Sequence, residues 1–423
     1  MARVPRWLRV TLLVIWAAAA LGLGAAFGLL VFKPPVPRPQ PPAFATREVS
    51  SATSAGAVAT ASAPATAFVS ANGTPTAPVP TSELIGFYVD WDDESYRSLQ
   101  QHIDDITVLM PMWYHLGNDG HLDAGDPAAQ AKALALIRER RPDLPVMPIV
   151  NNYDKGTGKW NAPEMAALLR KPAERKRMAR EIVDTLSAAG FEGVNIDFED
   201  FEAASRADLV AFMAELYPLA RAKGLAVSQD VLVSSAAFDH AALAEHNDYL
   251  IPMIYGEHWR TSGPGPIASQ AWFEKMYAQM LTQVPADKVV VGLGVYGRNY
   301  GTRGENHSLT WAQATAEARA QKLAIRLDPV QLNPTYRYKV GSDVREAWFL
   351  DSAAIFDQVA VASKRRPRGY AIWRMGAEDP ATWTVLRSRD SLSESVALSL
   401  RSASRTVVYD AAAGMIVSST VTP

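Results

Sequence analysis

A chain of 423 residues, 48% hydrophobic and 20% charged, has room for a large core and the makeup of an ordinary folded protein. Its 42 basic and 44 acidic residues leave a formal net charge of -2, which argues against nucleic acid as a partner. The absence of cysteine excludes disulfides, thiolate catalysis and Cys-ligated zinc, and it fits an exported protein that folds without oxidation.

Arg3, Arg6 and Arg9 precede an uncharged apolar run from Val10 to Phe32. At about 1.5 Å per residue the run can cross a hydrocarbon core of roughly 30 Å, and it exceeds the roughly 7–15 apolar residues of a cleavable signal. Residues 1–32 are therefore expected to be a cytoplasmic tip and an uncleaved transmembrane anchor, with the arginines inside. This makes the protein single-pass in an inner membrane with its body outside the cytoplasm. Residues 33–82 turn to Pro, Ala, Ser and Thr, with no charged residue from Val49 to Ser82. Such a segment cannot bury enough apolar surface to fold, and it is expected to be a disordered tether.

From residue 83 to 390 short apolar runs alternate with helical, charge-bearing segments. The expected strands are Leu84–Val89, Ile106–Met110, Val146–Val150, Gly193–Phe198, Ala226–Asp230, Tyr249–Ile254, Val289–Val295 and Gly369–Trp373. Helices such as Pro172–Ala189, closed by Gly190, and Arg206–Lys223, closed by Gly224, lie between them. Eight apolar strands alternating with helices predict an α/β protein, a (β/α)8 TIM barrel, rather than an open sheet. The glycine-rich phosphate fingerprint of a dinucleotide fold does not follow the first strand.

Between the seventh and eighth strands, residues 298–351 are too many for one helix and include a β-prone stretch at Tyr336–Val340. They predict a small α+β insertion on the rim. The tail, 391–423, holds two short β-prone pieces, Arg405–Tyr409 and Met415–Ser419, that either pair as an edge hairpin or stay loose.

The segment Glu192-Gly193-Val194-Asn195-Ile196-Asp197-Phe198-Glu199 carries the chemistry. Side chains on a strand alternate, so Asn195, Asp197 and Glu199 share one face, with Val194, Ile196 and Phe198 on the other. Residues two apart lie about 7 Å apart along the strand, near enough for their carboxyl groups to share a proton. Mutual repulsion and burial would then keep one protonated near neutrality, as a general acid at a barrel mouth must be. Taken alone, the pair also fits a structural Asp and Glu bonded to backbone amides or an arginine. The seven histidines are scattered, and no metal-binding pattern, nucleophile elbow or P-loop is present, so neither metal nor cofactor is expected.

This segment resembles the signature of glycoside hydrolase family 18, the chitinases and related N-acetylglucosaminidases, written Asp-Gly-x-Asp-x-Asp-x-Glu. Glu192 stands at the first Asp and Asn195 at the second. The likeness runs from about Leu84 to Trp383 and includes Gly86-Phe87-Tyr88-Val89, Met253-Ile254-Tyr255 and Ala371-Ile372-Trp373-Arg374. Gly263–Ser269 and Gly376–Pro380 resemble a bacterial subgroup in which this domain precedes a polysaccharide deacetylase and a glycosyltransferase.

The resemblance implies a retaining, substrate-assisted hydrolysis in which the substrate's own acetamido oxygen attacks the anomeric carbon, outside the usual two-carboxylate scheme. It implies Glu199 as acid and base, Asp197 as the residue that orients the acetamido group, and Tyr255 as a donor to its oxygen. Trp373 would floor the sugar subsite, and Asn195, Tyr88, Met253 and Glu257 are further candidate substrate contacts, with a core position the alternative for Tyr88 and barrel packing the alternative for Trp373. The implied partner is an N-acetylglucosamine-containing polysaccharide: chitin-like, peptidoglycan or poly-N-acetylglucosamine. Envelope polysaccharide machinery is the wider setting.

After Met-x-Tyr the family usually places an Asp, and here Gly256 stands. Losing that contact costs about 1–3 kcal/mol, unless Glu257 or Asp230 replaces it. A catalytically weak carbohydrate-binding or scaffold protein on the same fold is the alternative.

Overall fold

Residues 82–303 and 306–423 are described by a computed structural model of the protein. The expected anchor and all but the last residue of the expected tether lie outside the described residues. Among the described residues no helix is long and apolar enough to cross a membrane.

Eight parallel strands form a closed ring: Glu83–Tyr88, Val108–Pro111, Ile149–Asn151, Gly193–Asp197, Ala226–Val231, Tyr249–Pro252, Val290–Gly294 and Gly369–Trp373. The first pairs with both the second and the eighth, and the eighth with the seventh. The third, fourth, fifth and sixth pair in sequence. Single bridges close the two seams. Leu109 meets Val146 between the second and third strands, while Leu250–Val289 and Met253–Gly292 join the sixth to the seventh. The (β/α)8 barrel expected from the sequence is the architecture observed.

Alternation along each strand divides the core in two. Val194, Ile196 and Phe198 point outward, into a large cluster shared with the helices. Ile85, Phe87, Val89, Met110, Ile149, Ile251 and Ala371 point inward and fill the barrel. The surrounding helices follow their sequence signals. Pro172–Ala188 starts on a proline and buries Met178, Ala179, Ile182, Val183 and Leu186, one apolar stripe. Gly190 then takes φ +78°, a left-handed stop that glycine adopts without a Cβ penalty.

The segment after the seventh strand does carry its own sheet, and the tail belongs to it. The antiparallel order is His307–Leu309, Gly297–Gly301, Asp343–Phe349, Pro334–Val340, Ile325–Leu327, Met415–Val421, Arg405–Asp410. Of the two expectations for residues 391–423 the edge hairpin is the one observed: Arg405–Asp410 pairs antiparallel with Met415–Val421, and the hairpin joins the sheet where Ile325 pairs with Val421 and Arg326 with Thr420. An isolated two-stranded ribbon is marginal in water, and this one is completed by an existing edge. Buried polar contacts pin it. Arg405 reaches Asp379 at 2.6 Å and Asp351 at 3.3 Å, and Ile416 N donates to Asp357 Oδ1 at 2.7 Å.

Candidate active site

The C-terminal end of the fourth strand delivers Asp197 and Glu199 into a cleft of about 520 Å³ at the barrel mouth. Asp200 follows with φ +64° and also lines the cleft. The backbone of Glu199 is clamped by one buried side chain. Asn152 Oδ1 accepts from Glu199 N at 2.9 Å, and Asn152 Nδ2 donates to Glu199 O at 3.2 Å. Glu192, at the other end of the segment, accepts from Val146 N at 2.9 Å and ties the fourth strand to the third.

Neighbouring strands complete the walls. Asp230 and Leu232 come from the end of the fifth strand, Met253, Tyr255 and Gly256 from the sixth, Tyr296 from the seventh and Trp373 from the eighth. The Trp373–Arg374 peptide is cis. Trp160, carried by the hairpin Tyr153–Asp154 and Lys159–Trp160, and Trp259, 57% exposed, stand at the rim.

The electrostatics are lopsided. Four carboxylates, Asp197, Glu199, Asp200 and Asp230, line the cleft with no lysine or arginine among its lining residues. Burial pushes the Asp197 carboxyl above the ordinary range. Burial also lifts Glu199 well up, with the charges of Asp197 and Asp200 adding to it. Asp230 is raised by burial and by Asp197, against the hydrogen bond from Asn195. Asp197 Oδ1 and Asp230 Oδ1 are buried without a hydrogen-bond partner among the described residues. Such orphaned acceptors cost free energy unless something else supplies a donor. Tyr255 meets Tyr296 edge-on at 6.1 Å, and burial raises its hydroxyl pKa, so it stays a neutral donor.

The description of the family model that matches residues 83–378 is "Glycosyl hydrolases family 18". The chain belongs to that family. It is a glycoside hydrolase by membership. The cortical fragment-lytic enzyme of Bacillus subtilis (strain 168) is 26% identical over 236 residues, 52% of this chain and 54% of that relative, so the match spans about half of each. Among solved structures, the spore cortex-lytic enzyme SleL of Bacillus megaterium QM B1551 aligns with a TM-score of 0.66 at 20% identity, over 76% of this chain and 77% of that one. A chitinase from Chromobacterium violaceum ATCC 12472 aligns at 0.68 and 23% identity, over 74% of this chain and all of that one. At these identities the structural likeness shows the fold.

Against the family expectation, Asp197, Glu199, Tyr255, Met253 and Trp373 converge on the cleft, and three other candidates do not. Tyr88 faces outward, into the core beneath the helices, with its ring edge-on to Trp113 at 6.4 Å. Parity is the reason: Ile85, Phe87 and Val89 hold the inner face of the first strand, and Phe87 packs on Trp373. Asn195 has the right face but sits one layer too deep. It is fully buried, donates to Asp230 Oδ2 at 2.9 Å and accepts from Ser228 Oγ at 2.8 Å. Glu257 turns away and accepts from Ser269 N at 2.7 Å, beside a helix start. It does not stand in for an acid at Gly256.

Gly256 has φ +84° and open space around its missing Cβ, a conformation that favours glycine over Asp. The two segments resembling the bacterial subgroup are structural here. Glu378 accepts from Ser98, Gly376 N and Trp383 Nε1, and Asp379 holds Arg405. The Ile267 carbonyl accepts from both Gly256 N and Glu257 N. That subgroup rests on those segments alone.

Sequence reasoning missed Trp160 on a short hairpin, Trp259 on a loop, and Tyr296 just past the end of the seventh strand, none of which a strand or helix period places. Asp230 was legible: on the fifth strand Ser228 and Asp230 share one face by alternation, the same reasoning that paired Asp197 with Glu199.

Proposed function

We propose that the protein hydrolyses β-linked N-acetylhexosamine glycans by a retaining, substrate-assisted mechanism. The observation that carries this reading is the pair of buried Asp197 and half-buried Glu199 on one strand face, uncompensated by any cation in the cleft lining. Glu199, kept protonated, donates to the glycosidic oxygen as its bond to the anomeric carbon breaks. The substrate's acetamido oxygen closes on that carbon. Asp197 accepts from the acetamido N–H and offsets the positive charge that forms, and the Tyr255 hydroxyl donates to the acetamido oxygen. Water then adds at the anomeric carbon while Glu199 takes its proton, restoring the acid and the acetamido group with configuration retained. Trp373 floors the reacting sugar.

Chitin-like glycans, peptidoglycan and poly-N-acetylglucosamine are the substrate classes, and the names of the cortex-lytic and chitinase relatives favour the first two. The full chain, given aryl glycosides of chitobiose and chitotriose and purified peptidoglycan, is expected to release product whose first-formed anomer is β by NMR. An α product first would rule out the retaining route, and no release from any of them would sink the enzyme reading. Gly256 supports a second reading, a catalytically weak carbohydrate binder, since it puts no side chain where the family usually places an Asp. Binding without turnover, insensitive to Glu199→Gln, would decide for it.

We further propose that residues 10–32 anchor the domain in the inner membrane and that residues 33–82 hold it away from the surface, within reach of envelope polysaccharide machinery. The charge and length of the apolar run support this. A mature N-terminus found between Ala17 and Pro42 would overturn the uncleaved anchor.

A further inference from the structure

The catalytic cleft has a neighbour of opposite electrical character. A second cavity, of about 430 Å³, shares Tyr296 and Trp373 with it as a common wall. The two cavities are therefore adjacent, with Trp373 bordering both. Its charged lining is Asp92, Arg298 and Arg374, one net positive charge, where the cleft beside it holds only carboxylates.

The two arginines are differently committed. Arg374 Nη2 donates to Asp92 Oδ2 at 2.6 Å, a tie between the ends of the first and eighth strands. Its Nη1 is buried without a partner among the described residues. Arg298 has no carboxylate within ion-pair distance there, and its Nε is also buried without a partner. Its charge faces the phenols of Tyr296 and Tyr300 instead. A half-buried guanidinium with no counter-ion is costly for stability, and its five planar donors suit a carboxylate. Ser308, Thr310 and Gln313 add polar groups to the same cavity. The capping box uses Gln313 Oε1 to accept from Thr310 N, which leaves the amide nitrogen as the end that can donate to a ligand.

We propose that the cavity at Arg298 and Arg374 is an anionic subsite, which takes a carboxylate carried by the sugar next to the one at Glu199. The lactyl ether carboxylate of a muramic acid and the C6 carboxylate of a uronic acid share this chemistry. The subsite rests on the glycosidase reading for its orientation and gives that reading a substrate class, an alternating N-acetylhexosamine polymer with an acidic partner sugar. Neutral chitin-type chains would cross the same wall without using it.

Binding, rather than turnover, tests this most directly. Calorimetry on the full chain carrying Glu199→Gln compares three tetrasaccharides: N-acetylglucosamine alternating with N-acetylmuramic acid, N-acetylglucosamine alternating with a uronic acid, and chitotetraose. Each acidic ligand is also measured as its methyl ester. One free acid is expected to bind roughly tenfold to a hundredfold more tightly than its ester, as for a charge-assisted hydrogen bond. Which acid shows the gap names the source of the carboxylate. The gap should narrow as salt rises and collapse when Arg298→Gln is added, while Arg298→Lys keeps part of it.

Equal binding of both acids and their esters overturns the proposal, and so does a gap that survives Arg298→Gln with Arg374→Gln. The ester comparison uses intact arginines, so a variant that fails to fold does not spoil the test. If the native chain hydrolyses no glycan while the gap is present, the glycosidase reading falls and the anionic subsite stands.

Discussion

Among the described residues carboxylates are buried in two places, which differ in what faces the acids. At the seam between barrel and tail, Asp351 and Asp379 are 1% and 3% exposed and both face Arg405. Asp351 Oδ1 also accepts from Ala353 N and Ala354 N, and Asp379 Oδ2 from Ser352 N. Burial works against the charge on Arg405, and its two carboxylates more than offset that, raising its pKa. At the cleft, Asp197 and Asp230 are 5% and 4% exposed, with no cation among the lining residues and one orphaned oxygen each. At the seam Arg405 offsets Asp351 and Asp379 and ties the tail to the barrel, while burial still raises Asp351 and leaves Asp357 Oδ2 without a partner among the described residues. The cleft leaves its acids uncompensated, which is where a folded protein keeps groups for a substrate to meet.

The comparison can be broken from either side. The largest expected effect is on rate: Glu199→Gln should lower kcat by about 10²–10⁴-fold while leaving the melting temperature unchanged or higher, read from initial rates and thermal unfolding. A rate loss accompanied by unfolding would make Glu199 a structural residue like those at the seam.

Next is Arg405→Ala, which strands two buried carboxylates and should destabilise by about 3–5 kcal/mol in denaturant unfolding. Activity per folded molecule should be retained. If stability hardly changes, the seam is no more compensated than the cleft.

The third effect is on pH dependence. The folded-state pKa values of Asp197, Glu199 and Asp230 lie above their unfolded values, so the folded protein binds more protons through that window. Their contribution to stability is full below the ordinary carboxylate range and lost as pH rises through the raised values. Asp197→Asn should therefore raise the melting temperature at neutral pH and leave it unaltered at acid pH. Because the Asp197 charge helps to hold Glu199 up, the same substitution should move the basic limb of the pH–rate profile downward. A limb that stays put would show that the two acids are not coupled.

The smallest effect is expected at the rim. Trp259→Ala should raise KM a few-fold and change stability by no more than about 0.5 kcal/mol, as for an exposed side chain. A large stability loss would make this tryptophan a packing residue rather than a platform.

Much of this was legible before folding, because it depends on short-range periodicity. Alternation on Gly193–Phe198 put Asp197 and Glu199 together. Glycine stops and apolar stripes marked Pro172–Ala188 and its neighbours. Eight apolar strands set among such helices admit few closed solutions, and the barrel is one of them. The same alternation, applied to the first strand, would have turned Tyr88 outward; its aromatic character suggested a sugar contact, and its parity decided for the core.

What tertiary structure alone decided is depth, partnership and convergence. Asn195 has the right face and the wrong layer, because the barrel interior stacks in tiers that a single strand cannot count. Glu257 follows Tyr255 by two residues, yet a helix start captured it. Trp160, Trp259 and Tyr296 reach the mouth from segments far apart in the chain, and the tail finished a sheet whose first strand is Gly297–Gly301. Sequence patterning fixes which way a side chain points from its own backbone. Which other side chains it meets depends on how strands stagger and close around the ring, a property of the whole barrel rather than of any one strand.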